Sequence, residues 1–151
     1  MEKQIKKLVS EFLVHLSIDF GDIIIEQLDE NNFHVNVVSD NPSLLIGAHG
    51  DNLHAMQKVL KVMTHKQLGE NITLSFDVDN YRKRQIENVL TIAKQKIEEV
   101  RGNGLQSVLP PMSPYFRRLV HLYVRDGEYS DIETESMGEG NYRQVVIKLK
   151  A

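Results

Sequence analysis

The chain has 151 residues, 41% of them apolar and 26% charged, with a formal net charge of −3. That size and balance suit one ordinary domain or two small ones, and they exclude a disordered or fibrous chain and a protein that gathers polyanions by a global positive field. The absence of cysteine excludes disulfides and thiolate metal sites and points to a reducing, cytoplasmic setting, and the charged, amphipathic N-terminus is neither a signal peptide nor a membrane span.

The charge is unevenly spread. Residues 1–78 carry 6 Lys and Arg against 11 Asp and Glu, whereas residues 79–151 carry 12 against 10. A polyanion would have to meet local basic clusters.

In chain order, Ile5, Leu8, Val9, Phe12, Leu13 and Leu16 recur at helical spacing and predict a helix over Met1–Ser17. Ile-rich Asp22–Leu28 reads as a strand, and Asp29-Glu30-Asn31-Asn32 as a turn. Phe33, Val35 and Val37 alternate with polar residues as a second strand, antiparallel to the first. After Asn41-Pro42-Ser43, a short helical turn leads into Gly47-Ala48-His49-Gly50. A G-x-x-G loop ahead of a helix lets the backbone turn tightly and aims free N–H groups at a phosphate. Leu53, Met56, Leu60 and Met63 stripe the next helix, and Ile72, Leu74, Phe76 and Val78 alternate as a third strand. One sheet with helices on one face buries all of these stripes. This order, with the loop where it stands, is that of the type II KH fold. Its loop clamps a short run of single-stranded RNA, and bases are expected in an apolar groove by Leu45, Ile46 and Leu53. Asp51 is expected to cap the helix with its carboxylate, in competition with a phosphate.

The second half reads as helix, strand, helix, strand, strand. Ile86, Val89, Leu90, Ala93, Ile97 and Val100 predict a helix over about 80–101, closed by Gly102 and Gly104. Leu105–Leu109 is extended. Ser113-Pro114 is an N-cap and first-turn proline for a helix whose buried stripe is Phe116, Leu119, Val120 and Tyr123. Asp131–Ser136 and Arg143–Lys150 are two closing strands.

Arg117 and His121 are four residues apart and share a helix face, with Arg118 beside it and Arg125 one turn on. A fixed charge next to a titratable donor suits a phosphate or a base edge. Arg82, Lys83 and Arg84 put three cations into a first helical turn, against the dipole, and this violation of a local rule points to a nucleic-acid surface. Asp131, Glu133 and Glu135 share a strand face, where a metal-dependent nuclease would want carboxylates, but such a row is more often a solvated edge. No histidine spacing suits zinc, and no catalytic triad or nucleotide loop is present, so no metal, cofactor or enzymatic reaction is expected. Phe33, Phe76 and Tyr142 are strand aromatics available for stacking, Phe33 and Phe76 being better core residues. His49 and His121 are expected to gain charge and strengthen binding below about pH 6.5.

The stretch Pro110-Pro111-Met112-Ser113-Pro114-Tyr115-Phe116-Arg117-Arg118-Leu119-Val120-His121 resembles the signature of the R-3-H domain. Thr134-x-Ser136-x-Gly138-Glu139-Gly140-x-x-Arg143-x-Val145-Val146-Ile147 resembles its closing strand pair. A KH unit followed directly by an R-3-H unit is similar to the bacterial Jag/KhpB family, the SpoIIIJ-associated RNA-binding proteins. The expected architecture is therefore α+β. A type II KH domain over 1–78, a three-stranded sheet with helices on one face, precedes an R-3-H domain over 79–151, a small three-stranded sheet with two helices.

The resemblance implies a bacterial, cytoplasmic binder of single-stranded RNA, with single-stranded DNA as an alternative. It further implies a small KH-domain partner, and a post-transcriptional regulator or RNA chaperone tied to envelope and division control. Basic residues at 82–84 and at Arg143 match family positions. Ala48, His49 and Asp51 depart from the family, where the loop is usually basic and followed by Gln, and Phe116 stands where an acidic residue is usual. Many members carry a further N-terminal domain and linker that are not expected here. The expected RNA contacts are Gly47, Ala48, His49, Gly50, Arg82, Lys83, Arg84, Arg117, Arg118, His121 and Arg143. The rival readings are a protein-interaction module, with RNA bound only by the second half, and a metal-dependent nuclease on the acidic strand.

Overall fold

A computed structural model describes every residue from Met1 to Ala151. The chain forms two compact units, Met1–Arg82 and Lys83–Ala151.

In the first unit, helix α1 (Glu2–His15), strands β1 (Ile23–Gln27) and β2 (Asn32–Val37), helix α2 (Pro42–Ile46), a 3-10 turn at Ala48–Gly50, helix α3 (Asp51–Leu68) and strand β3 (Thr73–Val78) follow one another. The sheet order is β1-β2-β3. β1 runs antiparallel to β2, with Ile25 opposite Val35, and β3 runs parallel to β2, with Phe76 opposite Val35. A parallel pair needs a crossover, which α2 and α3 supply. Phe33, Val35 and Val37 of the central strand and Leu74, Phe76 and Val78 of β3 face Ile5, Val9, Leu13, Leu53 and Leu60 from the helices in one apolar core. Leu16, expected in the stripe of α1, lies past the end of that helix and is exposed.

The other sheet face is polar apart from the exposed Ile24. His34 hydrogen-bonds Ser75 across it at 3.2 Å. Toward the C-terminal ends of the strands, Asn36 and Asp77 are buried. Asp79 and Asn80 turn the chain there with left-handed φ of 47° and 54°, a conformation that Asp and Asn tolerate better than most residues. The Asn80 N–H then donates to Asn36 Oδ1 at 2.9 Å, and the Arg82 N–H to Asp77 Oδ2 at 3.2 Å. The Asp77 carboxylate thus sits at the start of helix α4 (Tyr81–Asn103), where the helix dipole favours negative charge.

Strand β3 is a sheet edge, and Gln57 of α3 serves it as a surrogate strand. Its Nε2 donates to the Leu74 carbonyl at 2.7 Å, and its Oε1 accepts the Phe76 N–H at 2.6 Å.

In the second unit, α4 is followed by β4 (Ser107–Val108), α5 (Pro114–Asp126), β5 (Ile132–Met137), a 3-10 turn at Gly140–Tyr142 and β6 (Gln144–Leu149). The sheet is antiparallel in the order β4-β6-β5. Ala93, Ile97 and Val100 of α4 and Val120 and Val124 of α5 close its core with Leu109, Ile132, Val145 and Ile147. The buried positions of α5 are Val120 and Val124, so the stripe expected through Phe116 and Leu119 is rotated. Those two side chains are only half-buried. Ser113 holds the N-cap position, yet its hydroxyl makes no capping bond, and its carbonyl accepts the Arg117 N–H at 3.0 Å. Tyr142 lies on the 3-10 turn, not on a strand.

Replacing Gln57 by Ala leaves a carbonyl and an N–H on β3 without their partner. The expected cost is about 1–3 kcal/mol, read as a lower urea midpoint together with faster hydrogen exchange of the Phe76 amide.

Candidate nucleic-acid interface

The glycine loop has the backbone that its sequence requires. Gly47 adopts φ 71°, and a Cβ there would lie 2.7 Å from Asn52 Cγ. The Asn52 amide occupies that space because its Nδ2 donates to the Leu44 carbonyl at 2.8 Å. Gly50, at φ 79°, lies against the Tyr81 ring, which would be 3.2 Å from an added Cβ. Between them His49 is left-handed at φ 55°. The N–H groups of Ala48 and His49 donate to no other group of the chain, and both residues are exposed.

Two expectations change here. Asp51 is the first residue of α3, and the helix has no side-chain cap, so its carboxylate does not take the N–H groups a phosphate would use. Leu45, Ile46 and Leu53 line no groove. They are 0%, 9% and 1% exposed and belong to the core, because they are the apolar side chains with which α2 and the first turn of α3 cover the sheet. The exposed apolar residue beside the loop is Leu44.

Of the three clustered cations, Lys83 and Arg84 are exposed. Arg82 is half-buried, and its Nε and Nη2 are hidden from solvent with no hydrogen-bond partner. The buried Asp77 at this helix start offsets the charges that oppose the dipole.

The second unit gathers its cations more tightly. Arg117, Arg118, Arg125 and Arg143 line a cleft of about 480 Å³ together with His121 and Ser136. Helix spacing brings Arg117, His121 and Arg125 to one face, and the β5–β6 connection delivers Arg143. Two of these guanidiniums are anchored on main-chain carbonyls. Arg117 Nη1 donates to Met112 at 2.8 Å, and Arg143 Nη1 to Gly138 at 2.8 Å. Each anchor uses one donor and holds the remaining fork in place. Arg125 is paired with Asp126 at 2.8 Å, which raises its pKa through the side-chain hydrogen bond and lowers that of Asp126 for the same reason.

His121 is the keystone of this cleft. Nδ1 lies 2.6 Å from Thr134 Oγ1, and Nε2 lies 2.9 Å from Ser136 Oγ. Both ring nitrogens are therefore occupied within the chain. Burial, and then the charge of Arg117, push the His121 pKa below its usual 6.5. The positive charge expected from His121 near pH 6.5 accordingly appears only at lower pH. In the sequence, Thr134 and Ser136 stand out as part of a motif but not as partners of His121. Their spacing of two puts both hydroxyls on one face of β5, which is the signal that could have found them.

The acidic strand is occupied otherwise. Asp131 pairs with Arg101, whose Nε donates to it at 2.8 Å. Glu133 and Glu135 both pair with Lys148, at 3.4 and 3.1 Å, Glu133 standing directly opposite it on β6. No cluster of three His, Asp or Glu side chains suits a metal ion. No helix is long and apolar enough to cross a membrane.

The model of the R-3-H domain family matches residues 87–149. The RNA-binding protein KhpB of Clostridium symbiosum is 33% identical over 137 residues, which cover 91% of this chain and 58% of that protein. That of Lactiplantibacillus plantarum is 27% identical over 135 residues, 89% of this chain and 39% of the relative. That of Bacillus subtilis is 25% identical over 130 residues, 86% and 62%. The chain thus spans 39% to 62% of the length of these relatives. Its α+β architecture is a type II KH fold, with the parallel β2–β3 pair and the glycine loop ahead of α3, followed by an R-3-H domain. Over most of its length the chain is similar to proteins of the KhpB/Jag family.

In the unfolded chain His121 takes a proton near 6.5, and in the folded chain only at lower pH. Its contribution to stability is therefore complete above pH 6.5 and lost as pH falls through the lowered value. An NMR titration of the ring is expected to give a midpoint below 6.5. A midpoint at or above 6.5 would contradict the occupied, half-buried geometry.

Proposed function

We propose that the chain binds single-stranded RNA without catalysing a reaction on it, the phosphates entering the arginine cleft of the R-3-H unit. The observation that carries this reading is the convergence of Arg117, Arg118, Arg125 and Arg143 on one cleft, two of them pre-oriented by carbonyl anchors. Guanidinium forks match phosphate geometry, and their prior anchoring lowers the entropy lost on binding. The names of the relatives support RNA as the polyanion.

The glycine loop adds a weaker backbone clamp. The N–H groups of Ala48 and His49 have no partner in the chain and both residues are exposed, but the loop carries no cation of its own and Asp51 is adjacent. Exposed Lys83 and Arg84 offer further cations at the start of α4, and Arg82, with its guanidinium largely hidden, contributes less. His121 acts by holding α5 to Thr134 and Ser136 of β5, not as a cation. Within the same proposal stand a bacterial cytoplasmic setting, a small KH-domain partner, and a role as post-transcriptional regulator or RNA chaperone linked to envelope and division control. All of these rest on the family resemblance.

The test uses a labelled single-stranded oligoribonucleotide and fluorescence anisotropy. Arg117→Ala and Arg143→Ala are each expected to weaken binding about tenfold, roughly 1.4 kcal/mol. Each phosphate that is no longer neutralised should also flatten the plot of log affinity against log salt by about 0.7, with thermal unfolding near that of the wild type. An unchanged affinity would remove the cleft from the interface. The double variant Ala48→Asp/His49→Asp reports on the loop separately. Wild-type affinity in that variant would assign RNA to the second unit and leave the KH unit as a protein-interaction module, a reading that the acidic first half favours.

A further inference from the structure

Two exposed tyrosines, Tyr115 and Tyr142, are chain neighbours of residues that line the cleft. Tyr142 is 81% exposed and Tyr115 is 60% exposed. Neither belongs to the core of its unit, which recruits Tyr123 and Tyr129 instead, and neither hydroxyl makes a hydrogen bond within the chain, unlike the Tyr123–Tyr129 hydroxyl pair at 2.9 Å. Each stands one residue from the cleft lining. Tyr115 follows Pro114 at the start of α5, and Tyr142 precedes Arg143.

Both rings are carried on fixed backbone. The Tyr142 N–H donates to the Glu139 carbonyl at 3.1 Å, the Arg143 N–H to Gly140 at 3.3 Å, and the Arg143 side chain to Gly138 at 2.8 Å. The same bond that orients the Arg143 guanidinium therefore braces the turn that presents Tyr142. The Met112 N–H donates to the Arg143 carbonyl at 3.4 Å, which ties the segment before Tyr115 to that turn. Tyr115 is itself held edge-on to Phe116, centroids 5.3 Å apart at 74°.

An exposed tyrosine ring keeps a π face free for a stacking partner. A cationic track flanked by exposed aromatics is the arrangement that takes a single strand, phosphates on the arginines and bases on the rings. A duplex cannot use it, because its bases already stack on one another. We propose that Tyr142, assisted by Tyr115, stacks on unpaired bases of the strand whose phosphates occupy the arginine cleft. This rests on the phosphate reading of the cleft.

The full chain contains no tryptophan, so Tyr142→Trp installs one indole as a reporter. Its emission is expected to be quenched by a single-stranded oligoribonucleotide and unaffected by the corresponding duplex. In parallel, Tyr142→Ala is expected to weaken binding of the single strand about tenfold, within the range for one stacked base. It should change binding of an abasic phosphodiester of equal length less than twofold, and Tyr142→Phe should behave as wild type. Wild-type binding of both polymers with no loss in Tyr142→Ala, or with equal losses on the two, would overturn stacking and leave the phosphate reading intact. Failure of the wild-type chain to bind any single strand would overturn both.

Discussion

One imidazole fixes the geometry on which the arginine cleft depends. His121 reaches from α5 to two hydroxyls of β5, and because both ring nitrogens are engaged the helix can neither rotate nor slide along the strand without breaking a half-buried hydrogen bond. Arg117 lies one turn before the histidine and Arg125 one turn after, so the same lock sets where both of their charges stand. The Arg-x-x-x-His spacing is in this sense a positioning device. Under the proposed function the arginine meets the phosphate, and the histidine holds the helix that carries it. A neutral ring serves that purpose better than a charged one, since a neutral imidazole can both donate and accept and adds no repulsion to the four neighbouring guanidiniums.

The first unit solves a related problem with different residues. A three-stranded sheet has two edges and little interior, so unpaired backbone groups are a large part of its liability. Gln57 supplies β3 with a donor and an acceptor from the helix packed over it. In the second sheet, edge strand β5 is guarded by charge, with Glu133 and Glu135 shared around Lys148. What looked in the sequence like candidate metal ligands are the means by which this edge stays solvated.

The order of elements was legible because apolar spacing reports directly on which face a residue covers. Phe33, Val35, Val37, Leu74, Phe76 and Val78 alternate, and they are buried as alternation requires. The glycines at 47 and 50 were legible for the same kind of reason, since their φ and their contact distances admit nothing larger. Long-range polar pairing was not legible. Gln57 looks like any helix-surface amide, and nothing local says that Asp77 will be 2% exposed with a helix start as its partner. Leu45, Ile46 and Leu53 were misplaced because an apolar residue beside a binding loop reads the same whether it lines a groove or closes a core. In a unit this small the core takes priority. The cleft was legible as a helix face but not as a cleft, because Arg143 arrives from a segment more than twenty residues downstream, and only the fold brings it to Arg117.

The buried carboxylate of Asp77 also determines where this protein can be divided. Charge and composition invite a cut between residues 78 and 79, yet the N–H that answers Asp77 belongs to Arg82 and the ring packed on Gly50 belongs to Tyr81. A fragment ending at Val78 would leave a carboxylate in a dry site with only its neighbouring amide for company, and would uncover the glycine loop from behind. The opening turn of α4 is therefore structurally the property of the unit before it. Recombination that exchanged the R-3-H unit for another would have to join the new segment beyond Arg82, keeping those first helical residues as part of the donor KH unit.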